Sequence, residues 1–571
     1  MNYPIWEVPA AGLLIAAIAV LHVFISHFAV GGGLFLVLLE GKAYRDNDPA
    51  LLEFVKAHTR FFVLLTLVLG AVTGVGIWFT ISLVHPQATS TLIQIFVWVW
   101  AIEWTFFLTE ITAAMVYYYG WDRLSPRKHL MVGWIYFGSA WLSLAAINGI
   151  LAFMLTPGDW VTTGSVWDGF FNPTYWPSLV SRTLAAMALA GLYALFTSSF
   201  LEPAEFRKQV IRYAGLRWLI PATLCLPIAL IWYLMTAADA GIPVFRVLGS
   251  EDNELASALA ALVSRSEAVG IPLAQKGLWL TTISCFLILL GTLTAVWRGR
   301  IQPIGAAVLL LLGFVSFAGG EWIREDLRKP YVLGRHMFVN GVRLSSQRLS
   351  SGPFELEDQF SIEALNRRGV LRTSLWSPES QTAADGSLQT RDDGSELFKL
   401  LCSSCHTLDG HMGIRPLVRG QTAASLESLL GRLAQPVDDA GRESDWADPQ
   451  LGLQTWRGRR MPPFAGTAAE KISLAGFLAS LNEPTSQAKL TGEGQRIFEE
   501  KCLFCHGVQA NWPMDQIAAG KTAAEFFEAI GRLPEINPIM PPFEGGEEKR
   551  RVVSQYLEGL VARAESTGEN R

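Results

Sequence analysis

Eight apolar runs, near 10–39, 61–84, 92–119, 130–155, 178–201, 216–238, 274–297 and 301–321, constrain this chain more than any other feature. Each is long enough to cross a bilayer as a helix, which takes about 20 residues. With 50% hydrophobic and 17% charged residues, the 571-residue chain is too apolar for an ordinary soluble protein. Met1 to Ala10 has no basic stretch ahead of the first run, so that run is expected to do the targeting itself without a cleaved signal peptide. Basic residues cluster in alternate loops: Lys42, Arg45, Lys56 and Arg60; Arg123, Arg127 and Lys128; Arg207, Lys208, Arg212 and Arg217; Arg298 and Arg300. The opposite loops near 85–91 and 156–177 contain no Lys or Arg, and 239–273 has only Arg246 and Arg265. The positive-inside rule makes the basic set cytoplasmic, so the N-terminus lies outside, and eight crossings return the C-terminus outside as well. The net charge of −5 and the lack of a basic, aromatic-studded patch predict no nucleic-acid partner.

The polar last third carries Cys402-Ser-Ser-Cys405-His406 and Cys502-Leu-Phe-Cys505-His506. Two thiols on one helical turn, followed directly by an imidazole, are the signature of c-type haem attachment. A structural zinc site would need further Cys or His at zinc spacing, and none follows. Of the six cysteines, the remaining two, Cys225 and Cys285, lie in apolar stretches and are expected to pack as small hydrophobes. Bacteria attach such haems outside the cytoplasm, in agreement with the charge-based orientation. Residues 336–392 read as a polar connector. The units at 393–485 and 488–571 repeat one pattern: an amphipathic helix into the motif, then Met-Pro-Pro-Phe, then a second amphipathic helix.

Both units resemble class I cytochrome c domains. The resemblance implies His406 and Met461 as ligands on one iron, and His506 and Met540 on the other, a pairing that raises the potential relative to two histidines. His411 and Met412 are rival distal ligands, but they follow the motif too closely to reach over the haem face. Within the apolar runs, ionisable residues are costly and therefore functional candidates. These are His22 and His27 in the first run, Glu103 and Glu110 on one face of the third, and Arg182 at the start of the fifth. Glu325 and Arg328 are expected just past the outer end of the eighth.

The stretches "HVFISHFAVGGGLFLVLLE", "GAVTGVG", "AIEWTFFLTE" before "YGWDRL", "AAINGIL" and "EDLRKPYVLG" follow in order through residues 1–335. In order, side and spacing this part resembles subunit I of the cytochrome bd oxygen reductases. The fold expected is therefore all-α: an eight-helix transmembrane bundle followed by two small helical cytochrome c domains. The resemblance implies His22 as an axial ligand of one active-site haem and Glu325 as the ligand of its neighbour. It also assigns Glu103 and Glu110 to haem binding and proton delivery, where a low-dielectric site lets a carboxyl group cycle. Arg182 and Arg328 would hold haem propionates, and His27 has no counterpart and reads as packing or a supporting partner. His336 is left without a role.

The departures are as informative. Arg182 stands where the family has the histidine of its low-spin haem, the seventh run lacks the matching Met, and the quinol-loop pattern is missing from 239–273. The resemblance therefore implies two non-covalent b- or d-type haems and no quinol site, with two covalent c-type haems as the electron entrance. The function expected is a terminal oxidoreductase of the bacterial inner membrane, fed by a periplasmic donor such as a cytochrome c and reducing oxygen to water. Its partners would be the lipid bilayer, that donor and a second membrane subunit. Three alternatives remain: an electron-transfer subunit without gas chemistry, a quinol:cytochrome c reductase, and reduction of another gas such as nitric oxide.

Overall fold

The structure, a computed structural model, describes residues 8, 11–242, 244, 273–344, 359–374, 393–410, 412–433, 461–481, 493–506, 521–537 and 540–567. It divides into two compact units, one from Leu13 to Arg335 apart from 266–270, the other including His336–Arg571.

In the first unit, eight helical spans are long and apolar enough to cross a membrane, so the chain is a multi-pass membrane protein. They are formed by α1 (Ala11–Asp46), α2 (Pro49–Val63) continuing into α3 (Ala71–Val84), then α5 (Val97–Gly120) after the short α4 (Pro86–Ile95). α6 (Pro126–Phe153), α7 (Tyr175–Ser198), α8 (Ala204–Ala214) continuing into α9 (Ile220–Asp239), α10 (Leu273–Arg298) and α11 (Pro303–Arg328) follow. The apolar runs fall on these helices, although the second and sixth spans begin earlier than their runs, at Pro49 and Ala204, and two further differences bear on side-chain placement. The third run breaks at Phe96, where the Trp100 indole donates across the break to the Leu92 carbonyl at 3.3 Å. The eighth helix extends to Arg328, so Glu325 and Arg328 occupy its last turn rather than the loop beyond. Ion pairs from Glu325 to Arg328 and Lys329 offset the charges there.

Large apolar side chains face outward along these helices, among them Trp98 at 76% exposure and Ile304 at 78%. That is the surface a helix shows to lipid rather than to water. Cys225 is likewise exposed on its helix, contrary to the packing expected of it, whereas Cys285 is half-buried with its Sγ 3.3 Å from the Ser316 hydroxyl. Close helix approach is bought at two glycines of α1. A Cβ on Gly31 would lie 1.9 Å from the Ala186 carbonyl oxygen, and one on Gly33 would lie 2.3 Å from the Tyr136 ring. Seven-residue and five-residue π segments, Leu64–Gly70 and Gly215–Leu219, interrupt the second and sixth spans. Such segments are frequent at functional sites.

The second unit contains two helical modules built alike. The first has α12 (Asp393–Leu401), α13 (Ile414–Val418), α14 (Ala423–Leu433) and α15 (Ala468–Ser480). The second has α16 (Glu493–Lys501), α17 (Leu503–His506), α18 (Ala523–Gly531) and α19 (Glu547–Thr567). In each, the helix entering the motif crosses the last helix at a glycine. A Cβ on Gly394 would meet the Ser473 carbonyl oxygen at 2.4 Å, and one on Gly494 the Val552 carbonyl oxygen at 2.5 Å. One turn on, Phe398 meets Phe477 with ring centroids 5.9 Å apart, and Phe498 meets Tyr556 at 5.7 Å. Gly394→Ala is expected to destabilise the first module by roughly 1–3 kcal/mol through overpacking. A thermal melt of the variant that matches the wild type would show that the crossing yields freely.

Parts of the 336–392 stretch have more core than a connector. Phe338, Val342, Phe360, Leu365 and Leu371 are buried. The Asn340 amide donates to the Leu401 carbonyl at 3.3 Å, and the Leu371 N–H to Glu470 at 2.9 Å. Glu470 also closes a capping box with Thr467 at the start of α15. His336 is buried in this unit, and burial, with Arg343 adding to it, pushes its imidazole down to about 4. Two short strands, Tyr331–Leu333 and Met337–Phe338, are the exceptions to an otherwise helical structure among the described residues.

Candidate functional sites

The Gly-rich stretch at 70–76 starts where the π segment returns to α-helix, and this places Thr73 and Gly74 against His22 of α1. The Thr73 hydroxyl donates to the Leu69 carbonyl at 2.6 Å, so at 3.1 Å its oxygen accepts from His22 Nδ1. That bond settles the tautomer and leaves Nε2 as the ring nitrogen for a metal.

His27, one and a half turns further, is buried. Its Nδ1 donates to the Val23 carbonyl at 2.7 Å, and its ring meets Phe317 edge-on. It also interacts electrostatically with Arg182 and Glu321, which form the polar centre of this unit. Arg182 lies 3.8 Å from Glu321, and Arg324 bonds the other Glu321 oxygen at 2.8 Å. Arg182 is held from behind by a relay: it donates to the Ser178 hydroxyl at 3.4 Å, and Ser178 donates to Asn148 at 2.6 Å. Two guanidinium groups thus share one carboxylate, and Arg324 Nη1 is buried with no partner among the described residues. An unsatisfied buried donor on a cation is expensive, and a carboxylate from a cofactor would satisfy it. The site therefore fits the propionate of a haem, held by Arg182 and Arg324.

Sequence reasoning singled out Arg182 but passed over Glu321, Arg324 and nearby Tyr233, which interacts electrostatically with all three. The available signal was position: Glu321 lies four residues before Glu325 and so on the same helix face. The structure does not bring Glu325 to Arg182. Glu325 pairs instead with Arg328 and Lys329 at the helix end, and Arg328 also donates to the Val332 carbonyl at 3.1 Å.

Glu103 and Glu110 face α6 from α5. Ser143 donates to Glu103 at 2.8 Å, and the Tyr136 hydroxyl donates to Glu110 at 3.2 Å and to the Ala29 carbonyl at 3.0 Å.

In the second unit, α12 ends in a tight turn that presents Cys402, Cys405 and His406 in succession, with the His406 N–H bonded back to the Cys402 carbonyl at 2.9 Å. Both thiols are free, and burial pushes that of Cys402 up to about 12, so it stays protonated. His406 Nδ1 donates to the Met412 carbonyl at 3.0 Å, which again leaves Nε2 for a metal, and burial lowers its imidazole so that it stays neutral. Met412 itself is 54% exposed. The second motif repeats the turn, with the His506 N–H bonded to the Cys502 carbonyl at 3.0 Å. Short helix α13 of the first module packs against α17, which carries His506. Met461 and Met540 each stand at the head of the loop before their module's last helix. His411 lies outside the described residues, and nothing is placed for the side chain of Cys505.

Comparison with known proteins places the membrane part. Residues 11–236 match the family model for cytochrome bd terminal oxidase subunit I, from α1 into α9. Over these residues the N-terminal region is similar to subunit I of the cytochrome bd terminal oxidases, and the match takes in the first six of the eight spans. A curated relative, the cbb3-type cytochrome c oxidase subunit FixP of Sinorhizobium medicae (strain WSM419), is 25% identical over 169 residues, 27% of this chain. The chain spans about half the length of that relative, 51%. Among solved structures, the bd oxidase from Geobacillus thermodenitrificans aligns with a TM-score of 0.47 at 17% identity, covering 57% of this chain and 87% of that one.

Proposed function

We propose that this protein is a terminal oxidoreductase that takes electrons from a periplasmic donor through two c-type haems to a pair of non-covalent b- or d-type membrane haems, and reduces oxygen to water. The observation that carries this reading is the presence, on one chain, of a bd subunit I-like membrane domain and a duplicated module that carries Cys-x-x-Cys-His.

Cys402 and Cys405 hold one covalent haem and Cys502 and Cys505 the other. His406 with Met461 would ligate one iron, and His506 with Met540 the other. In the membrane domain His22 and Glu325 are the ligand candidates, Arg182 holds a propionate, and Arg328 fixes the orientation of Glu325. Haem iron supplies the one-electron chemistry and the bond breaking. The chain's residues supply ligation, charge balance and protons, the last through Glu103 and Glu110. The packing of α13 against α17 supports a relay within the second unit, because it brings the first module next to the second motif. The bacterial inner membrane is the expected location, with the C-terminal modules and the N-terminus periplasmic, and a second membrane subunit is the expected companion.

A carbon monoxide difference spectrum of the purified, dithionite-reduced protein, with haem extraction on the same sample, tests the reading. The expected result is a carbon monoxide shift and non-covalent haem beyond the two covalent haems. A spectrum blind to carbon monoxide would sink the oxidase and leave a second reading, an electron-transfer subunit within a larger complex. The similarity to a subunit of a cbb3-type cytochrome c oxidase favours that second reading over a quinol:cytochrome c reductase.

A further inference from the structure

The two carboxylates on α5 belong to a longer array. Antiparallel α5 and α6 are joined by hydrogen bonds at Glu103–Ser143 and Glu110–Tyr136, with seven residues between rungs on both helices. Seven more residues on each helix lead to Tyr117 and His129. There His129 Nε2 donates to the Tyr117 carbonyl at 2.9 Å. A seven-residue step is two helical turns, about 10.5 Å, so all three rungs share one seam.

The third rung carries a carboxylate from α1. Glu40 is fully buried, with one oxygen 2.5 Å from the Tyr117 hydroxyl and the other 2.7 Å from His129 Nδ1. Tyr44, one turn further along α1 and only half-buried, also reaches Glu40. The ring of Trp121 packs on His129 with centroids 4.2 Å apart, and its indole N–H is buried without a partner among the described residues. An orphaned donor beside a polar cluster marks a place for an ordered water. Tyr117 lies within one turn of the end of α5, His129 within one turn of the start of α6, and Glu40 is six residues before the end of α1. All three ends carry the basic loops.

We infer that Glu40, Tyr117 and His129 form the inner terminus of a proton path that runs along the α5–α6 seam to Glu110 and Glu103. This rests on the oxidase reading, because reducing oxygen to water consumes one proton for each electron delivered. A proton from the basic-loop side reaches the Glu40–His129 pair by way of Tyr44, and the Tyr117 hydroxyl passes it on by taking one proton and releasing another. The charge of each proton is matched by the electron supplied to oxygen, so no other reactant is needed. A buried carboxylate kept only for stability would be no better than an apolar core. The seven-residue register with two further protonatable rungs gives this one a second use.

The test uses the full-length protein in lipid vesicles, with ascorbate and a small redox mediator as donor, reading oxygen consumption and proton uptake together. Tyr117→Phe removes only the hydroxyl and Glu40→Gln only the proton-binding oxygen. Both are expected to slow turnover and proton uptake together by about tenfold or more. Reduction of the covalent haems and the carbon monoxide spectrum should be unchanged, and Glu40→Asp should recover part of the rate. Wild-type rates with an unaltered pH profile in Tyr117→Phe would overturn the path. So would loss of the carbon monoxide spectrum in step with activity, which marks a purely structural role. An unaltered chain that neither reduces oxygen nor takes up protons would instead overturn the oxidase reading itself.

Discussion

Changing Cys402 and Cys405 together to alanine is expected to halve the covalent haem and to remove most donor-driven oxygen consumption, while the membrane haems and their carbon monoxide response remain. The thiols are free and half-buried in a turn whose shape depends on the backbone bond from the His406 N–H to the Cys402 carbonyl and on the side-chain bond from His406 Nδ1 to the Met412 carbonyl. Removing the thiols leaves those bonds in place, so the loss should come from the missing haem rather than from a collapsed module. His406→Ala is the sharper companion. The thiols could still bind the haem covalently, but the iron would lose its near ligand and with it the raised potential that His–Met pairing provides. A pyridine haemochrome assay counts the covalent haem, and an oxygen electrode follows the rate. Full oxygen consumption with only one covalent haem would mean that electrons bypass the first module.

At the polar centre of the membrane domain, Glu321→Gln and Arg182→Leu are expected to behave in opposite ways. Glu321 is the one carboxylate between Arg182 and Arg324, and all three side chains are about four-fifths buried or more. Replacing it with Gln takes away the one carboxylate that the two buried guanidinium groups share and leaves Arg324 only the charge of Glu325, a loss of about 3–5 kcal/mol. The loss should be smaller in haem-loaded protein than in haem-depleted protein, because a propionate supplies the missing negative charge. Arg182→Leu removes one cation and leaves the 2.8 Å Arg324–Glu321 pair intact. The fold should survive that change, and the non-covalent haem should not. Haem content and thermal stability measured on both variants separate the two effects. Unchanged haem content in Arg182→Leu would remove Arg182 from the cofactor site.

Relatives of known function cover this chain unevenly. The subunit I match ends within α9, before α11, the helix that carries Ser316, Glu321 and Glu325. The ligand role proposed for Glu325 therefore rests on the residues "EDLRKPYVLG" alone, and the structure adds a competing polar centre one turn earlier. The two carboxylates differ in surroundings. Glu325 is 39% exposed and paired within its own helix, whereas Glu321 joins three helices through Arg182, Arg324 and Tyr233.

The sequence by itself determined the eight spans, the duplicated module and the residues of both Cys-x-x-Cys-His motifs. Each of these is local: a span needs only a sufficient run of apolar residues, and the attachment motif fits within one helical turn. The repeat was legible for the same reason, since Gly394, Phe398 and Cys402 recur with the same spacing at Gly494, Phe498 and Cys502. Only the tertiary structure decided which ionisable residues act together. Glu321 and Arg182 are far apart in sequence, and nothing in the chain indicated that their helices bring them into one site. Glu40 stands beside Lys42 and Arg45 in the sequence, and only the packing of α5 and α6 encloses it with Tyr117 and His129. The same holds for the seven-residue ladder. The spacing on each helix is present in the sequence, but the rungs exist only because two antiparallel helices meet in one register. Local periodicity is set by the backbone, whereas pairing of buried charges is set by which helices touch.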